Sequence, residues 1–387
     1  MRPVASRTLR WPHLVVGLGL SIPVFGCGSS AADDLPIVEV DEGQVKAYPA
    51  DVDFADVRDV VTDGVHLWVL DRAAPFITRL SLDGDRAHRF AWSGEGPDEL
   101  TKPVALWVAG EHVDVVDLEM GKRASFSWDG TLASVHRLSD ERSGWIRGDM
   151  ERVSHIDPWR VRALGSDTYY VRLPDGMTQP VDFAGGELVR ATPDLQPRRA
   201  VARFADYLPR DERGTGQFPA TPLWDVCDDR MALWNPRKER VEWVSENGLL
   251  LHSIRVQAEG VPVTDAGVLG FLRGMAAHEL GPGVEVPAAA LRTRLRDVRP
   301  LFGQLATDFV DLRCSPDGTV WLRRFDLEAD PLGADDEWLR VPASGDMSRV
   351  RFPTRFEPFV FKDNEVVGVV ETPLGDRLGA WRATPFL

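Results

Sequence analysis

The sequence predicts an all-β fold, a six-bladed β-propeller with four strands in each blade. Six segments share one pattern, an apolar strand followed by a polar turn and a second strand. A second turn signal follows several of them at a fixed distance. The 34 glycines and 28 prolines are spread along all 387 residues instead of being clustered. Many short strands separated by regularly spaced turns are typical of propellers.

The six segments have fifteen residues each, except the fourth, which is two residues shorter. They are VRDVVTDGVHLWVLD (57–71), PVALWVAGEHVDVVD (103–117), PWRVRALGSDTYYVR (158–172), LWDVCDDRMALWN (223–235), FVDLRCSPDGTVWLR (309–323) and EPFVFKDNEVVGVVE (357–371). Alternation with a period of two residues, and enrichment in β-branched and aromatic residues, favour strands over helices. Each segment therefore contributes two strands of one blade.

The second turn signal supplies the other two strands. Twelve residues separate the two members of three pairs: Asp71 and Asp83, Asp117 and Asp129, and Asn235 and Asn247. Each second member opens an Asp-Gly or Asn-Gly, in which glycine accepts the positive φ of a tight hairpin. Neighbouring blades pack through apolar faces, so the residues at individual positions can differ between blades while the spacing of the turns stays the same. Residues 36–49 form a spare strand segment that could complete the last blade together with residues 376–386.

The long insertions are predicted to share one face of the propeller. In a four-stranded blade, the blade-to-blade connections and the loops between second and third strands lie on one side. We call this side the loop-rich face and the opposite side the short-turn face. The extra length falls at 91–102, 137–157, 206–221, 257–308 and 326–337. Binding residues gather on loops held by a rigid scaffold, so the loop-rich face is the candidate interaction surface.

The longest insertion is predicted to be helical over about 264–303, between blades 4 and 5. Thr264 or Asp265 could cap a first helix, and Pro287 suits the first position of a second one. The apolar positions Val268, Leu272 and Met275, and then Leu291, Leu295 and Val298, recur at helical spacing. Arg292, Arg296 and Arg299 form a basic patch nearby, which is either a solvated edge of a helical hairpin over the propeller mouth or a ligand-recognition surface.

The amino terminus indicates export. Residues 1–26 contain a basic stretch and then a short apolar stretch, which is too short for a membrane span. VFGC, ending at Cys27, resembles the lipobox of bacterial lipoproteins, whose cysteine is acylated; Phe25 is bulkier than that motif usually carries. An ordinary secretory signal is the alternative. Residues 27–35 are predicted to be a flexible tether, and Ser29 favours anchoring in the outer membrane under the sorting rule of that family.

The junction between blades 1 and 2 carries a further family resemblance. SGEGPDELTKP (93–103) is similar to a Gly-x-Gly-Pro-x-Glu segment of six-bladed propeller lipoproteins from Gram-negative bacteria, within the broader NHL and TolB-like group. The match rests on Gly94, Gly96, Pro97, Glu99 and Pro103. Asp98 stands where that family often has glycine. The candidate binding residues in this loop are Glu95, Asp98 and Glu99.

Candidate chemistry is sparse. Asp326, Glu328 and Asp330 could supply oxygen ligands for calcium, but the spacing lacks the central glycine and closing glutamate of an EF-hand loop, which favours a solvated acidic loop. The inner-channel positions Asp59, Asp225 and Asp311 could surround a divalent metal, as in lactonase-like propellers. His278-Glu279 lacks the second histidine of a zinc protease motif, and no Gly-x-Ser-x-Gly occurs.

The cysteines leave one question open. Cys227 and Cys314 occupy matching positions in consecutive blades. Export permits a disulfide between them. Two buried free thiols are at least as plausible from the sequence, because adjacent inner strands could lie too far apart for a bridge.

The composition narrows the function. The net charge of -15 argues against nucleic-acid binding. We expect an exported, lipid-anchored and monomeric propeller at the cell envelope that binds a protein, peptide or glycan without catalysis and needs no cofactor. The alternative is a metal-dependent hydrolase or lyase that uses the central channel. Carboxylates converging on one ion in the channel would favour the enzyme; an uncharged, plugged channel would favour the binding module.

Overall fold

The computed structural model describes residues 35–48, 52–82, 86–138, 160–172, 186–192, 195–207, 223–280, 286–325, 336–362, 365–372 and 375–382. Six antiparallel sheets account for most of this part of the chain. The inner strands of successive sheets contact one another in sequence, and the last contacts the first. The chain is therefore a closed ring of six blades, as the sequence predicts.

The strands follow the predicted order, with two short ones preceding the first blade. These are β1 (Ile37–Glu39) and β2 (Val45–Ala47). Blade 1 contains β3 (Val57–Thr62), β4 (His66–Asp71), β5 (Ile77–Ser81) and β6 (Ala87–Phe90). Blade 2 contains β7 (Pro103–Ala109), β8 (His112–Asp117), β9 (Lys122–Ser127) and β10 (Leu132–Arg137). Blade 3 contains β11 (Val161–Leu164), β12 (Asp167–Arg172), β13 (Glu187–Ala191) and β14 (Pro197–Arg203).

The second half of the ring contains the helical insertion. Blade 4 contains β15 (Leu223–Cys227), β16 (Arg230–Asn235), β17 (Arg240–Val244) and β18 (Leu250–Arg255). The insertion comprises β19 (Val261–Pro262), α1 (Asp265–Leu280), α2 (Ala288–Val298) and β20 (Leu305–Ala306). Blade 5 contains β21 (Phe309–Cys314), β22 (Val320–Arg324), β23 (Asp336–Val341) and β24 (Ser348–Phe352). Blade 6 contains β25 (Phe356–Phe361), β26 (Glu365–Thr372) and β27 (Gly375–Arg382).

The amino-terminal segment closes the ring by joining two blades instead of one. Strand β2 pairs antiparallel with β27 and becomes the outer strand of blade 6, as predicted. Strand β1 pairs in parallel with β24 and becomes a fifth, outermost strand of blade 5. The prediction that the whole segment 36–49 completes the last blade is therefore correct for β2 only. Hairpin turns join antiparallel strands that are neighbours in the sequence. The turn pattern therefore could not predict that β1 pairs in parallel with a strand of a different sheet.

The core lies between the blades. Five tryptophans, at positions 68, 107, 234, 243 and 338, are completely buried. Trp68 and Leu70 of blade 1 pack against Leu106 and Phe126 of blade 2, and the remaining blade pairs have equivalent clusters. Since each blade buries an apolar face against both neighbours, the free energy of burial is shared around the whole ring.

The recurring acidic residue at the end of the second strand has a structural role. The carboxylate of Asp71 accepts the backbone N–H groups of Ala55 and Asp56, at 2.9 and 3.0 Å. Asp117 does the same in blade 2 for Thr101 and Lys102, at 2.5 and 3.2 Å. These side chains fasten the connections that enter blades 1 and 2, which explains why an aspartate ends the second strand of both. In the described part of the chain, no helix is long and apolar enough to cross a membrane.

Candidate functional site: the central channel and the loop-rich face

Six charged side chains meet where the inner strands converge. Asp59 on β3 faces one arginine from blade 3, Arg162, and one from blade 5, Arg313. We call the full set the channel cluster, and its members are Asp59, Arg160, Arg162, Asp225, Asp311 and Arg313. The sequence analysis identified the three aspartates. It did not identify the three arginines, because an arginine on an inner strand has no distinguishing motif.

The channel cluster joins alternate blades across the centre of the ring. From blade 3, Arg162 Nη1 lies 3.3 Å from Asp59 Oδ2 of blade 1. Arg160 Nη2, also of blade 3, lies 2.5 Å from Asp311 Oδ1 of blade 5. Arg313 of blade 5 completes the triangle, with its Nη1 3.6 Å from Asp59 Oδ1. Blades 1, 3 and 5 are thus tied together directly, without passing through the blades between them.

Every carboxylate oxygen of the three aspartates faces a donor. Asp225 receives Arg162 Nε on one oxygen at 3.1 Å and the backbone N–H of Cys314 on the other at 3.0 Å. The second oxygen of Asp311 receives Arg313 Nε at 2.8 Å. The backbone N–H groups of Val60 and Leu312 donate to Asp59 and Asp311 at 3.0 and 2.7 Å. Three negative charges and three positive charges therefore cancel inside the channel.

Burial and the neighbouring arginines have opposite effects on the pKa of Asp311. Burial by itself raises the pKa of this carboxyl, since it disfavours the charged form. The attraction and hydrogen bonds of Arg160 and Arg313 outweigh burial and hold the pKa well below its ordinary value. Asp311 is therefore a carboxylate at any pH near neutrality and serves as a fixed counter-ion.

These residues do not fit a divalent metal ion. A calcium or zinc ion needs free carboxylate oxygens, and here each oxygen already accepts from a guanidinium or a backbone amide. Across the described ranges, no group of three or more His, Cys, Asp or Glu side chains is arranged to hold a metal. The channel is plugged, but by balanced charges instead of the uncharged filling that the sequence analysis associated with a binding module. Asp326, Glu328 and Asp330 lie outside the described residues.

A disulfide links the two blades on either side of the helical insertion. Cys227 ends β15 and Cys314 ends β21, with Cα atoms 5.1 Å apart. Adjacent inner strands are thus close enough for a bridge at this point, which decides between the alternatives that the sequence left open. Cys314 also donates its backbone N–H to Asp225, so the disulfide adjoins the channel cluster. The bridge fixes blade 4 to blade 5 across an insertion of about fifty residues (257–308).

Two side chains, Glu99 and Lys122, stabilise the loop between blades 1 and 2 through hydrogen bonds to its backbone. Glu99 folds its carboxylate back over the glycines and accepts the backbone N–H of Gly96 at 2.8 Å. A Cβ on Gly96 would lie 2.9 Å from this carboxylate, and one on Gly94 would lie closer still. Lys122 is buried and donates to the carbonyl oxygens of Gly96 and Glu99 at 2.7 and 2.5 Å. Glu99 is thus a structural residue of this loop, while Glu95 and Asp98 are exposed.

An exposed tryptophan stands at the start of this loop. Trp92 has 60% of its surface exposed, whereas the preceding Ala91 is buried with a left-handed φ of 59°. The backbone carbonyl of Ala91 accepts the N–H of Phe76 at 3.0 Å, and that of Trp92 accepts the N–H of Leu100 at 2.9 Å. The chain is therefore fixed on both sides while the indole remains outside. Trp92 could not be predicted from the sequence, since one tryptophan among 13 has no local signal.

The helical insertion has the predicted form with two corrections. Thr264 caps α1, because its Oγ1 accepts the backbone N–H of Gly267 at 3.0 Å. Pro287 precedes the first residue of α2 instead of occupying it. Arg299 is not a free basic group, since it bonds Asp265 and the carbonyl oxygen of Val263 at 2.9 and 3.0 Å. Only Arg292 and Arg296 of the predicted patch are exposed.

The insertion packs on blade 5. Val268 and Leu291 of the two helices are buried. Val268 belongs to an apolar cluster with Phe302, Val310 and Phe325 that joins the helical hairpin to the inner strand of that blade. The insertions 137–157, 206–221 and 326–337 lie largely outside the described residues, as does Cys27.

We expect Arg162→Met to destabilise the protein by about 3–5 kcal/mol, because it leaves Asp59 and Asp225 buried without their shared cation. Urea unfolding would measure the loss. Arg292→Met, which removes an exposed arginine, should change the unfolding free energy by less than about 0.5 kcal/mol. Equal effects of the two substitutions would contradict the proposed role of the cluster.

Removal of the disulfide should lower the unfolding free energy by about 2–4 kcal/mol, because the bridge closes a loop of 87 residues in the unfolded chain. The double variant Cys227→Ala, Cys314→Ala tests this in thermal and urea unfolding. A reducing agent should destabilise the unmodified protein to a similar extent and leave the double variant unchanged. A variant as stable as the parent would show that the bridge adds nothing.

The comparisons with known proteins support the fold. No family model and no curated protein sequence matches this chain. Among solved structures, a Bacteroides fragilis protein described as exported is 10% identical, with a TM-score of 0.51, covering 89% of this chain and 98% of its own. A member of the DUF4221 family from Bacteroides vulgatus is 7% identical, with a TM-score of 0.53, covering 87% and 95%. At this level of identity the likeness shows the architecture alone. The chain is a six-bladed β-propeller similar in fold to these two proteins.

Proposed function

We propose that the protein is an exported, lipid-anchored binding module of the cell envelope that recognises a protein, peptide or glycan through its loop-rich face. The observation that carries the proposal is the exposed indole of Trp92 on a loop fixed by Lys122 and Glu99. Rigid aromatic side chains provide contact area with little loss of conformational entropy on binding. Glu95 and Asp98, which are exposed in the same loop, offer acceptors for hydroxyl or ammonium groups.

The channel argues for binding over catalysis. Hydrolases and lyases of the lactonase type would need channel carboxylates that are free to bind a metal ion. In this protein the three candidates are neutralised by arginines, which gives them a structural role. A convergence of charged groups at the centre of a propeller therefore supports no reaction here, and we make no proposal for a metal-dependent activity.

The cellular location rests on the amino-terminal sequence. Cys27 at the end of VFGC, after a basic and then an apolar stretch, supports acylation at that residue. The structural neighbour from Bacteroides fragilis that is described as exported agrees with export. A membrane anchor would hold the propeller at the cell envelope, where a binding surface can meet extracytoplasmic partners.

The binding role can be tested with Trp92→Ala. Cell-envelope proteins and a panel of envelope glycans would be passed over immobilised protein, and the retained ligand would be titrated by calorimetry. We expect the substitution to weaken its binding at least tenfold, because an anchor residue contributes 2 kcal/mol or more. Val65→Ala changes an exposed apolar residue on the short-turn face and is the matched control. Loss of binding in the control, or full binding by Trp92→Ala, would contradict the assignment.

The anchor is tested independently with Cys27→Ser. We expect the unmodified protein to fractionate with membranes and to carry acyl chains on Cys27 in its mass spectrum, whereas the variant should remain unacylated and leave the membrane fraction. A mature protein that lacks acyl chains would refute the anchor and leave an ordinary secretory signal. This result would not affect the binding assignment of Trp92.

A further inference from the structure

Three consecutive leucines are exposed at the outer edge of blade 4. Leu249, Leu250 and Leu251 have 69%, 58% and 57% of their surface exposed, where the hairpin turn enters β18. We call these three residues the leucine patch. Burial of leucine side chains away from water is favourable, so their common exposure indicates a surface that is covered in use.

The leucine patch is displayed by a well-held turn. Gly248 has a φ of 79° and donates its backbone N–H to the carbonyl of Ser245 at 2.9 Å. Neighbouring blade 3 holds the same turn through Arg190, which bonds Asn247 at 3.1 Å, and through Tyr169, which bonds the carbonyl of Glu246 at 3.3 Å. A Cβ on Gly248 would approach the Val201 carbonyl at 2.6 Å, so the turn sits directly on blade 3. The exposure of the leucines is therefore a property of the folded turn.

The amino-terminal tether leaves the propeller on the same face. Leu35 packs with Met347 against the apolar cluster shared by blades 4 and 5. The carbonyl of Pro36 accepts the backbone N–H of Arg349 at 2.9 Å, at the start of β24. Strand β24 begins immediately after the turn between the third and fourth strands of blade 5. The first described residues thus lie at the short-turn end of blade 5, next to the blade that carries the leucine patch.

The tether limits how far the propeller can lie from its anchor. Eight consecutive Cα–Cα steps join Cys27 to Leu35, and at most about 3.6 Å per residue gives a reach of roughly 29 Å. A six-residue strand is about 20 Å long, which approximates the height of a blade. An acylated Cys27 would therefore keep the short-turn end of blade 5 within about 29 Å of the bilayer. Because this reach exceeds the height of a blade, the leucine patch is needed to set which face meets the membrane. Confinement of this kind gives a weakly binding patch a high effective concentration at the surface.

Apolar exposure is concentrated on this face. In the described part of the chain, eight large hydrophobic side chains are exposed: Ile37, Val65, Trp92, Val135, Leu249, Leu250, Leu251 and Leu301. Besides the leucine patch, Ile37 begins the strand that follows the tether, and Val65 occupies a turn between first and second strands. Five of the eight thus lie toward the short-turn face.

We propose that the leucine patch inserts into the lipid bilayer beside the anchor, so that the short-turn face lies on the membrane and the loop-rich face points away from it. The inference rests on the lipid anchor proposed above and adds an orientation to it. Exposed Glu246 and Asp346 stand in the turns of this face and would be repelled by anionic headgroups. The lipid that fits is therefore zwitterionic, such as phosphatidylethanolamine, with the leucines providing the attraction.

The cysteines of the protein make a direct test possible. Of the three in the sequence, Cys27 is the acylation site and the other two form the disulfide, so the mature chain has no free thiol. A single cysteine can be introduced as Leu250→Cys and labelled with a fluorophore that reports polarity. The matched control is Arg292→Cys, an exposed position on α2 in the insertion of the loop-rich face. Both acylated proteins would be reconstituted into phosphatidylethanolamine–phosphatidylcholine vesicles.

We expect the probe at position 250 to shift to shorter wavelength on reconstitution and to be quenched by a lipid-attached quencher, with no change at position 292. Adding anionic lipid should reduce the shift. A shift at position 292, or none at either position in vesicle-bound protein, would overturn the orientation. Protein that fails to float with vesicles and lacks acyl chains would instead identify the anchor as the failed premise.

A second variant distinguishes insertion of the leucine patch into a membrane from pairing of the patch with a second copy of the chain. The triple variant Leu249→Ser, Leu250→Ser, Leu251→Ser alters exposed side chains only, so the fold should persist. We expect acylated triple variant to desorb from vesicles faster than the parent. Sedimentation of the unacylated Cys27→Ser protein should give a monomer with or without the leucines. A dimer that the triple variant abolishes would show that the patch pairs two copies, and would overturn the membrane assignment.

Discussion

The structure depends on the cancellation of six buried charges at the centre of the ring. Side chains from six inner strands converge on the channel, and water access there is low. Charges placed in such a site are strongly destabilising unless they are paired and hydrogen-bonded. The channel cluster meets this requirement with three aspartates and three arginines from blades 1, 3, 4 and 5. A buried ion-pair network contributes modest net stability, but it strongly disfavours any blade arrangement that leaves one charge alone.

The ring is also closed at its periphery. The amino-terminal strands attach to blades 5 and 6, and the disulfide holds blade 4 to blade 5 at the position where the chain makes its longest excursion. These two devices act at places where successive blades are least constrained by short connections. The helical hairpin can therefore extend from the scaffold and pack on blade 5 without loosening the ring beneath it.

The two faces of the propeller carry different structural features. The loop-rich face has the helical insertion and the loop that holds Trp92 outward, whereas the short-turn face has tight turns, the exit of the tether and the leucine patch. The proposed anchor on one face and the proposed recognition surface on the other would let the protein bind partners on the side that points away from the membrane.

The sequence alone determined the features that depend on local rules. Strand alternation, turn glycines and the spacing between Asp71 and Asp83 predicted the blades, and helical periodicity predicted the insertion with Thr264 as a candidate cap. These signals are local because hydrogen bonds within one hairpin or one helix generate them. Trp92 and Lys122 carry no such signal, since their roles depend on residues distant in the sequence.

Only the tertiary structure decided what happens between blades. Asp59 and Arg162 are 103 positions apart, and nothing in either segment specifies that they meet. The same is true of Cys227 and Cys314, of β1 on blade 5, and of Arg299, which was predicted as part of a basic patch but fastens the insertion. The physical reason is that ring closure brings together side chains from separate repeats. The sequence of one repeat determines its own strands and turns, but it does not specify which residues of other repeats lie opposite in the channel.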